Sequence, residues 1–530
     1  MSDQSPHSSI ANGGAGSSSN VAMISSWYNG RCVLVTGATG FMGKVLVEKL
    51  LRSCPGIRRV YLLLRPKRGV EPEQRLREMT GITLFDTIRR NQPHLLSKLH
   101  AIPGDITSPG LGLSAEHAQL LQQEISVVFH SAATVKFDEK LRLSVEMNVL
   151  GMQRLVELAK KMTNLEAFVH VSTAYCNCDQ EVVAEKVYPP PADPETVIKC
   201  IDVLDDQILD TVTKSLIGNR PNTYTFTKAM AESVIVEMSA GLPVAIVRPS
   251  IVTAAWKEPL PGWVDNLNGP TGLLAGAGKG ILRTIVCHRD LLADFMPVDV
   301  CINLLITVAW HTGINRPSSI PVYNCTSGAV NPVTWGQLES EGHKSLLRNP
   351  FSGVLWYPGG SFKRSRIYNS VCVTAFHTIP AYLIDVMARL SGKKPFMLNV
   401  QTKLHRATSC LEFFTTHEWR FPNDNAQRLW RSLSEQDRTQ FPFDVTGLDW
   451  TKYLECYALG TRRYIMKEDD STLPKARVHL QRMLWLDRFV KVLLLFMTWR
   501  ILIRHSAKAQ YLNRMLWRIL HMFRRQVTKA

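Results

Sequence analysis

The sequence predicts an α/β fold in which a parallel sheet is doubly wound by helices on both faces, followed by a smaller, mainly helical C-terminal domain and a basic amphipathic tail. Three observations predict it. A short β-branched run, Cys32-Val-Leu-Val-Thr36, feeds directly into Gly37-Ala-Thr39-Gly40-Phe41-Met42-Gly43 and then into a helical pattern over residues 44–52. Further short apolar runs recur at the spacing of βα units. Positive charge is concentrated in residues 471–530.

Residues 1–26 are rich in Ser, Gly and Asn and have neither the basic start nor the apolar run of a secretory signal, so they read as a disordered leader. Order is expected from Trp27, with a first domain over residues 27–345. Gly37 permits a tight turn, Gly40 lets backbone approach a pyrophosphate, and Gly43 lets the helix pack close to its strand. Between a strand and a helix, this trio points to a Rossmann-like dinucleotide site. A second run, Val60-Tyr-Leu-Leu-Leu64, ends where NAD sites present an acid to the ribose, but here the chain reads Arg65-Pro-Lys67-Arg68. Cations at that point suit a 2′-phosphate, so Arg65 and Arg68 are expected to select NADPH. Later strands are expected at 100–102, ahead of Gly104-Asp105-Ile106, and at 125–129, 167–171 and 244–247.

Pro221-Asn-Thr-Tyr224-Thr-Phe-Thr-Lys228 places Tyr and Lys four apart on one helix face, where the cation favours the phenolate and its other donors can hold a ribose. With 13 tyrosines in the chain, one such pair arises by chance, so the spacing needs support. Upstream, Phe168-Val-His-Val-Ser172-Thr173-Ala-Tyr175 sets hydroxyls at a strand end, where one can hydrogen-bond a carbonyl under reduction. Asn148, at the head of another helical run, is a candidate to hold a proton-relay water.

The stretches TGATGFMG, HSAATVKFDEKL, FVHVSTAY, PNTYTFTKAMAE, VRPSIV, GPTGLLAGAGKGILRT and ADFMPVDVCINLLI resemble those of eukaryotic fatty acyl-CoA reductases, and occur in that family's order from about residue 30 to 345. The resemblance implies an extended short-chain dehydrogenase fold and the reduction of long-chain fatty acyl-CoA to a primary alcohol with two NADPH. It makes Tyr224 the proton donor, Lys228 its activator and ribose ligand, and Thr173 the catalytic hydroxyl, with Ser172 the alternative. It assigns Gly37, Thr39, Gly40, Phe41, Met42 and Gly43 to the pyrophosphate, Asp105 and Ile106 to the adenine, and Pro249 and Ser250 to the nicotinamide. Related reductases also carry a C-terminal domain, here expected at 346–470 after a linker at 351–360.

Within that second region residues 367–384 lack Asp, Glu, Lys and Arg, but Asn369, His377 and Pro380 argue against a span and for a re-entrant or surface-lying hairpin. His377 reads as a core or interface histidine. The net charge is +17, and residues 471–530 hold thirteen Lys or Arg against the single acid Asp487. Their interleaved Leu and Trp point to an anionic membrane surface, whereas no nucleic-acid-reading module accompanies them. The eleven cysteines include no Cys-x-x-Cys pair, so neither a disulfide framework nor a metal site is expected, and Cys176 and Cys178 read as packed thiols in a reducing compartment. The expected setting is a membrane with the catalytic domain facing the cytosol, the endoplasmic reticulum first, with peroxisome or lipid droplet as alternatives. Nothing in the sequence specifies an oligomeric state.

Overall fold

The computed structural model describes residues 23–527. The leader expected over 1–26 lies outside the described residues up to 22, and beyond that it is not a leader: Met23–Trp27 is a short helix with Ile24 buried. Seven strands form one sheet: β1 (Cys32–Thr36), β2 (Arg59–Leu64), β3 (Leu99–Pro103), β4 (Ile125–His130), β5 (Ala167–Val171), β6 (Val244–Pro249) and β7 (Val322–Cys325). Their order is β3-β2-β1-β4-β5-β6-β7, with every neighbouring pair parallel.

The apolar runs follow from burial on both faces. Alternate residues of β1 enter different cores, Val33 and Val35 on one side, Cys32 and Leu34 on the other. The chain reverses direction of winding between β1 and β4, which opens a crevice at the carboxyl ends of those strands, where such sheets bind ligands.

The boundary expected at residue 345 does not separate two cores. Leu429, Phe441, Phe443, Leu448, Tyr453 and Tyr457 belong to the same core as Val33 and Val35. The Tyr453 hydroxyl donates to the Ala254 carbonyl oxygen at 2.7 Å. The region is mainly helical, as expected, but its last third closes over the sheet and buries these apolar and aromatic side chains in the common core.

Residues 367–384 are neither a separate hairpin nor wholly buried. They lie inside one helical run, Arg366–Leu390, interrupted by a π turn over Thr374–Thr378. Its polar side chains form the docking face: the Arg283 backbone N–H donates to His377 Nε2 at 2.8 Å, and Thr284 Oγ1 donates to Asn369 Oδ1 at 2.6 Å. Burial lowers the His377 pKa to about 4, with Arg283 adding to the effect, so this imidazole is a neutral acceptor as expected of an interface histidine. The opposite face exposes Ile367 (81%), Val371, Phe376, Ile379, Tyr382, Leu383, Met387 and Leu390 (84%).

The tail is also only partly free. Leu473–His505 is a single helix whose first half packs through Ala476, Leu480 and Asp487. Asp487 accepts a hydrogen bond from Trp356 Nε1 at 2.7 Å and pairs with Arg283 at 3.5 Å. Past this anchor Val492, Leu493, Leu494, Leu495, Phe496 and Met497 are consecutive and all exposed. A second helix, Ala507–Val527, follows. Arg283 therefore joins both apolar elements, holding His377 through its backbone and Asp487 through its side chain.

Candidate active site

β1 and the helix Phe41–Ser53 build the glycine turn. Gly37 has φ +74°, and a Cβ there would lie 2.7 Å from the backbone of Ser131 and of Ala132. A Cβ on Gly43 would lie 2.2 Å from the Gly37 carbonyl oxygen. Helix and strand meet this closely only because both positions lack a side chain. The helix has Gly40 at its N-cap with no side-chain cap, so its first-turn N–H groups are arranged to take an anion. Thr39, Phe41 and Met42 complete the turn.

At the end of β2, Arg65 pairs with Asp105 at 3.4 Å. Asp105 also accepts from the Thr107 backbone N–H and hydroxyl at 3.0 and 2.9 Å. Burial opposes its charge, yet these hydrogen bonds and Arg65 hold its carboxyl below the usual range. Ile106 is buried against Gly151, where a Cβ would come 2.3 Å from it. Arg68 stands away from this cluster on a tight turn, with φ +53° and no hydrogen bond or ion pair among the described residues. Arg75, one helix further on, is the cation that reaches the glycine turn. Its Nη2 donates to Thr39 Oγ1 at 2.9 Å and its Nη1 to the Arg65 carbonyl oxygen at 2.6 Å.

The helix Thr223–Met238 carries Tyr224 and Lys228 one turn apart, starting from Asn222, whose side chain accepts from the Thr225 N–H at 2.9 Å. Thr173, just past the end of β5, lies beside the Tyr224 hydroxyl. Ser172 points elsewhere because neighbours in an extended chain alternate sides, and its hydroxyl lies beside the Cys176 thiol. Of the two candidate hydroxyls, Thr173 and not Ser172 lies beside Tyr224.

Lys228 is buried, and its ammonium donates to the Val171 carbonyl oxygen at 2.7 Å. Burial lowers its pKa to about 8, against the pull of Glu232. Tyr224 differs from the sequence expectation. Burial pushes its phenol well above the ordinary value, with the Thr173 hydrogen bond pulling the other way, and Lys228 is engaged with Val171 instead of lowering it.

Asn148 also departs from expectation. It sits within a π turn, Glu146–Leu150, in the middle of a helical run and not at its head. Its amide oxygen accepts from the Thr134 N–H at 3.0 Å, and its amide nitrogen donates to the Thr134 carbonyl oxygen at 3.3 Å and to Thr227 Oγ1 at 2.9 Å. These hydrogen bonds clip the loop after β4 to the Tyr224 helix. At the end of β6, Pro249 precedes Ser250, whose N–H donates to the Cys325 carbonyl oxygen at 3.1 Å and whose hydroxyl lies beside Asp294.

Comparison with known proteins identifies the family. A family model for an NAD-binding domain, described as "Male sterility protein", matches residues 35–305, and a second model with the same description, Sterile, matches 376–468. "Fatty acyl-CoA reductase 1" of Xenopus laevis is 44% identical over 509 residues, which is 95% of this chain and 99% of that protein. The Homo sapiens protein of that name is 44% identical over 487 residues, 92% of this chain and 95% of that one. The chain belongs to the fatty acyl-CoA reductase family. Among solved structures, the terminal R domain of the myxalamid PKS-NRPS pathway shares the fold with a TM-score of 0.55 at 22% identity, covering 82% of this chain and 90% of that one. The reductase domain of a nonribosomal peptide synthetase from Mycobacterium tuberculosis does so at 0.56 and 18%, covering 82% and 92%.

The residues of this oxidoreductase fit a nicotinamide dinucleotide. The cradle beneath Gly37 and Gly43 is one that a Cβ would fill, the helix N-terminus lacks a cap, and Arg65 and Arg75 supply cations beside it.

Sequence reasoning missed several residues of this reductase. Arg75 has no motif of its own. His130 and His170, in register on β4 and β5, stack with ring centroids 5.3 Å apart next to Lys228. Burial, with Lys228 adding to it, lowers both pKa values, His130 to about 3, so neither competes for charge with the lysine. Thr36 Oγ1 holds His130 Nδ1 at 2.7 Å. Their one signal in the sequence is a histidine within each apolar strand. Phe137 stacks on Tyr224 with centroids 5.9 Å apart and was visible only as part of a family stretch. All eleven cysteines are unpaired, Cys176 and Cys178 buried as packed thiols as expected.

Proposed function

We propose that the protein reduces long-chain fatty acyl-CoA to the primary alcohol with two NADPH and release of CoA, working at a membrane surface with its site facing the cytosol. The endoplasmic reticulum is the proposed membrane, with peroxisome and lipid droplet as alternatives. The observation that carries the reading is that the Tyr224 and Thr173 hydroxyls lie side by side past the carboxyl end of β5, with Lys228 of the Tyr224 helix fixed on Val171 of that strand.

The nicotinamide, when bound, supplies hydride to the thioester carbonyl carbon. Tyr224 and Thr173 would face the carbonyl oxygen as it gains negative charge, with Tyr224, protonated at neutral pH, as the proposed proton donor. Collapse of the resulting hemithioacetal releases CoA and leaves an aldehyde, which the same hydroxyls can polarise for a second reduction. Lys228, fixed on Val171, keeps a cation under the site and presents its remaining donors to a ribose. Gly37 to Gly43 would hold the pyrophosphate, Asp105 and Ile106 would flank the adenine, and Pro249 and Ser250 would border the nicotinamide. Incubation with palmitoyl-CoA and NADPH is expected to give free CoA and hexadecanol; the absence of both overturns the reading.

The preference for NADPH rests on the cations after β2. The placement of Arg75 beside Thr39 and Arg65 adds it to Arg65 and Arg68 in the proposed clamp on the 2′-phosphate. Replacing Arg65 and Arg75 together by Ala is expected to raise the KM for NADPH by on the order of a hundredfold and that for NADH far less, since only the first carries the phosphate. An equal rise for both cofactors shows the arginines to be structural.

Membrane attachment is supported by the exposed faces of Arg366–Leu390 and of the helix beyond Lys491. Truncation after Lys491 keeps Asp487 on Trp356 and removes eight of the thirteen tail cations. At about 1 kcal/mol per basic residue near an anionic bilayer, binding to phosphatidylserine vesicles is expected to weaken strongly and lose most of its salt dependence. Octanoyl-CoA reduction should persist. Unchanged vesicle binding removes the tail from the anchor.

A further inference from the structure

An aromatic wall flanks both catalytic hydroxyls, and its central ring comes from the C-terminal region. Phe137 stacks on Tyr224, and Phe414 lies 5.2 Å from Phe137 on one side and 5.2 Å, edge-on, from Tyr175 on the other. Tyr175 follows Thr173 by two residues and is packed in turn by Trp419 and Phe421 at 5.3 and 5.2 Å. Phe414 is therefore wedged between the neighbours of Tyr224 and of Thr173. Nothing in this wall is charged, so the part of an acyl-CoA it suits is the chain next to the thioester, not the polar CoA.

Phe414 sits near the end of the helix Met397–Thr416, and the other end of that helix is tied to the lipid-facing one. Asp385, on Arg366–Leu390, accepts from the N–H groups of Phe396, Met397 and Leu398 at 2.8, 2.8 and 3.0 Å. Twenty residues of helix span about 30 Å, so one rigid element runs from the exposed apolar face to the catalytic hydroxyls. Midway, Leu404 lies beside Gly276, where a Cβ would come 3.6 Å from it. A charged latch fixes the same helix to the loop that bears Phe137, for Arg406 pairs with Asp138.

We propose that Phe414, together with Phe137, is the specificity-determining wall that aims the acyl chain along the helix Met397–Thr416, which guides it between the lipid-facing helix and Tyr224 and Thr173, so that longer chains gain contacts along that helix that shorter ones do not reach. This rests on the acyl-CoA reading above. The test is a series of acyl-CoAs from octanoyl to stearoyl with the full-length protein, comparing wild type with Phe414→Ala, the milder Phe414→Leu, and Arg406→Ala, which opens the latch without touching the aromatic rings. In Phe414→Ala the ratio of kcat/KM for palmitoyl-CoA to that for octanoyl-CoA is expected to fall by on the order of tenfold, mainly through KM, with smaller falls in the other two. A chain-length profile like that of wild type in every folded variant overturns the proposal, as does a loss equal at every length, which marks a purely structural role. Should Phe414→Ala not fold, Phe414→Leu and Arg406→Ala decide it by the same ratio. A wild-type protein inactive on every acyl-CoA fails differently, overturning the proposed function itself.

Discussion

Tyr224→Phe is expected to lower turnover of palmitoyl-CoA by on the order of a hundredfold or more while leaving the affinity for NADPH close to that of wild type. The substitution removes the hydroxyl that pairs with Thr173 but keeps the ring that stacks on Phe137, so the pocket retains its shape. Lys228→Ala is expected to behave otherwise, with losses in both turnover and cofactor affinity, because that ammonium is held by Val171 beneath the site and serves both. Steady-state kinetics with each substrate varied separates the two patterns. Turnover of Tyr224→Phe equal to wild type removes this residue as the acid.

The second large effect concerns stability. Arg248 and Glu232 are a fully buried ion pair, 0% and 1% exposed, joined by hydrogen bonds of 2.5 and 2.8 Å. The guanidinium also donates to the carbonyl oxygens of Ala184 and Lys186 at 3.0 and 2.8 Å, so it ties the segment after the Thr173 strand to the helix of Tyr224. Glu232→Ala strands the arginine without its counter-charge, at a cost of roughly 3–5 kcal/mol. A urea midpoint measured by circular dichroism reads this directly, and Arg248→Met in the same background is expected to restore part of the loss. Glu232 also raises the pKa of Lys228, so in Glu232→Ala the lysine loses its proton at lower pH than the value near 8 it has in the intact chain. A loss below about 1 kcal/mol contradicts this account of the pair.

Much of the fold was legible because its signals are local. The strand runs are apolar on both faces, and the glycine turn needs Gly37 and Gly43 for contacts within a few residues. Tyr224, Lys228 and Thr173 were singled out by their order and by family resemblance, and only the folded chain shows Thr173, not Ser172, lying beside Tyr224. What could not be read depends on where distant segments meet. Arg75 reaches Thr39 only once a helix folds back onto the turn, and Asn148 meets Thr134 and Thr227 only once two other elements arrive at its amide. The tail showed its charge but not that Asp487 would be held by Trp356 and Arg283, which makes its first half part of the folded body. Phe414 had no signal at all, since an aromatic pair in a long polar helix says nothing about the tyrosine it will meet.

The most direct test of the central claim follows the label into the product. Reduction of palmitoyl-CoA with NADPH deuterated at the transferred position is expected to yield hexadecanol carrying two deuterium atoms at C1, one from each reduction at the Tyr224 site, with one free CoA per alcohol. Free CoA with an aldehyde bearing a single deuterium, or hexadecanol with only one, contradicts the two-step reduction.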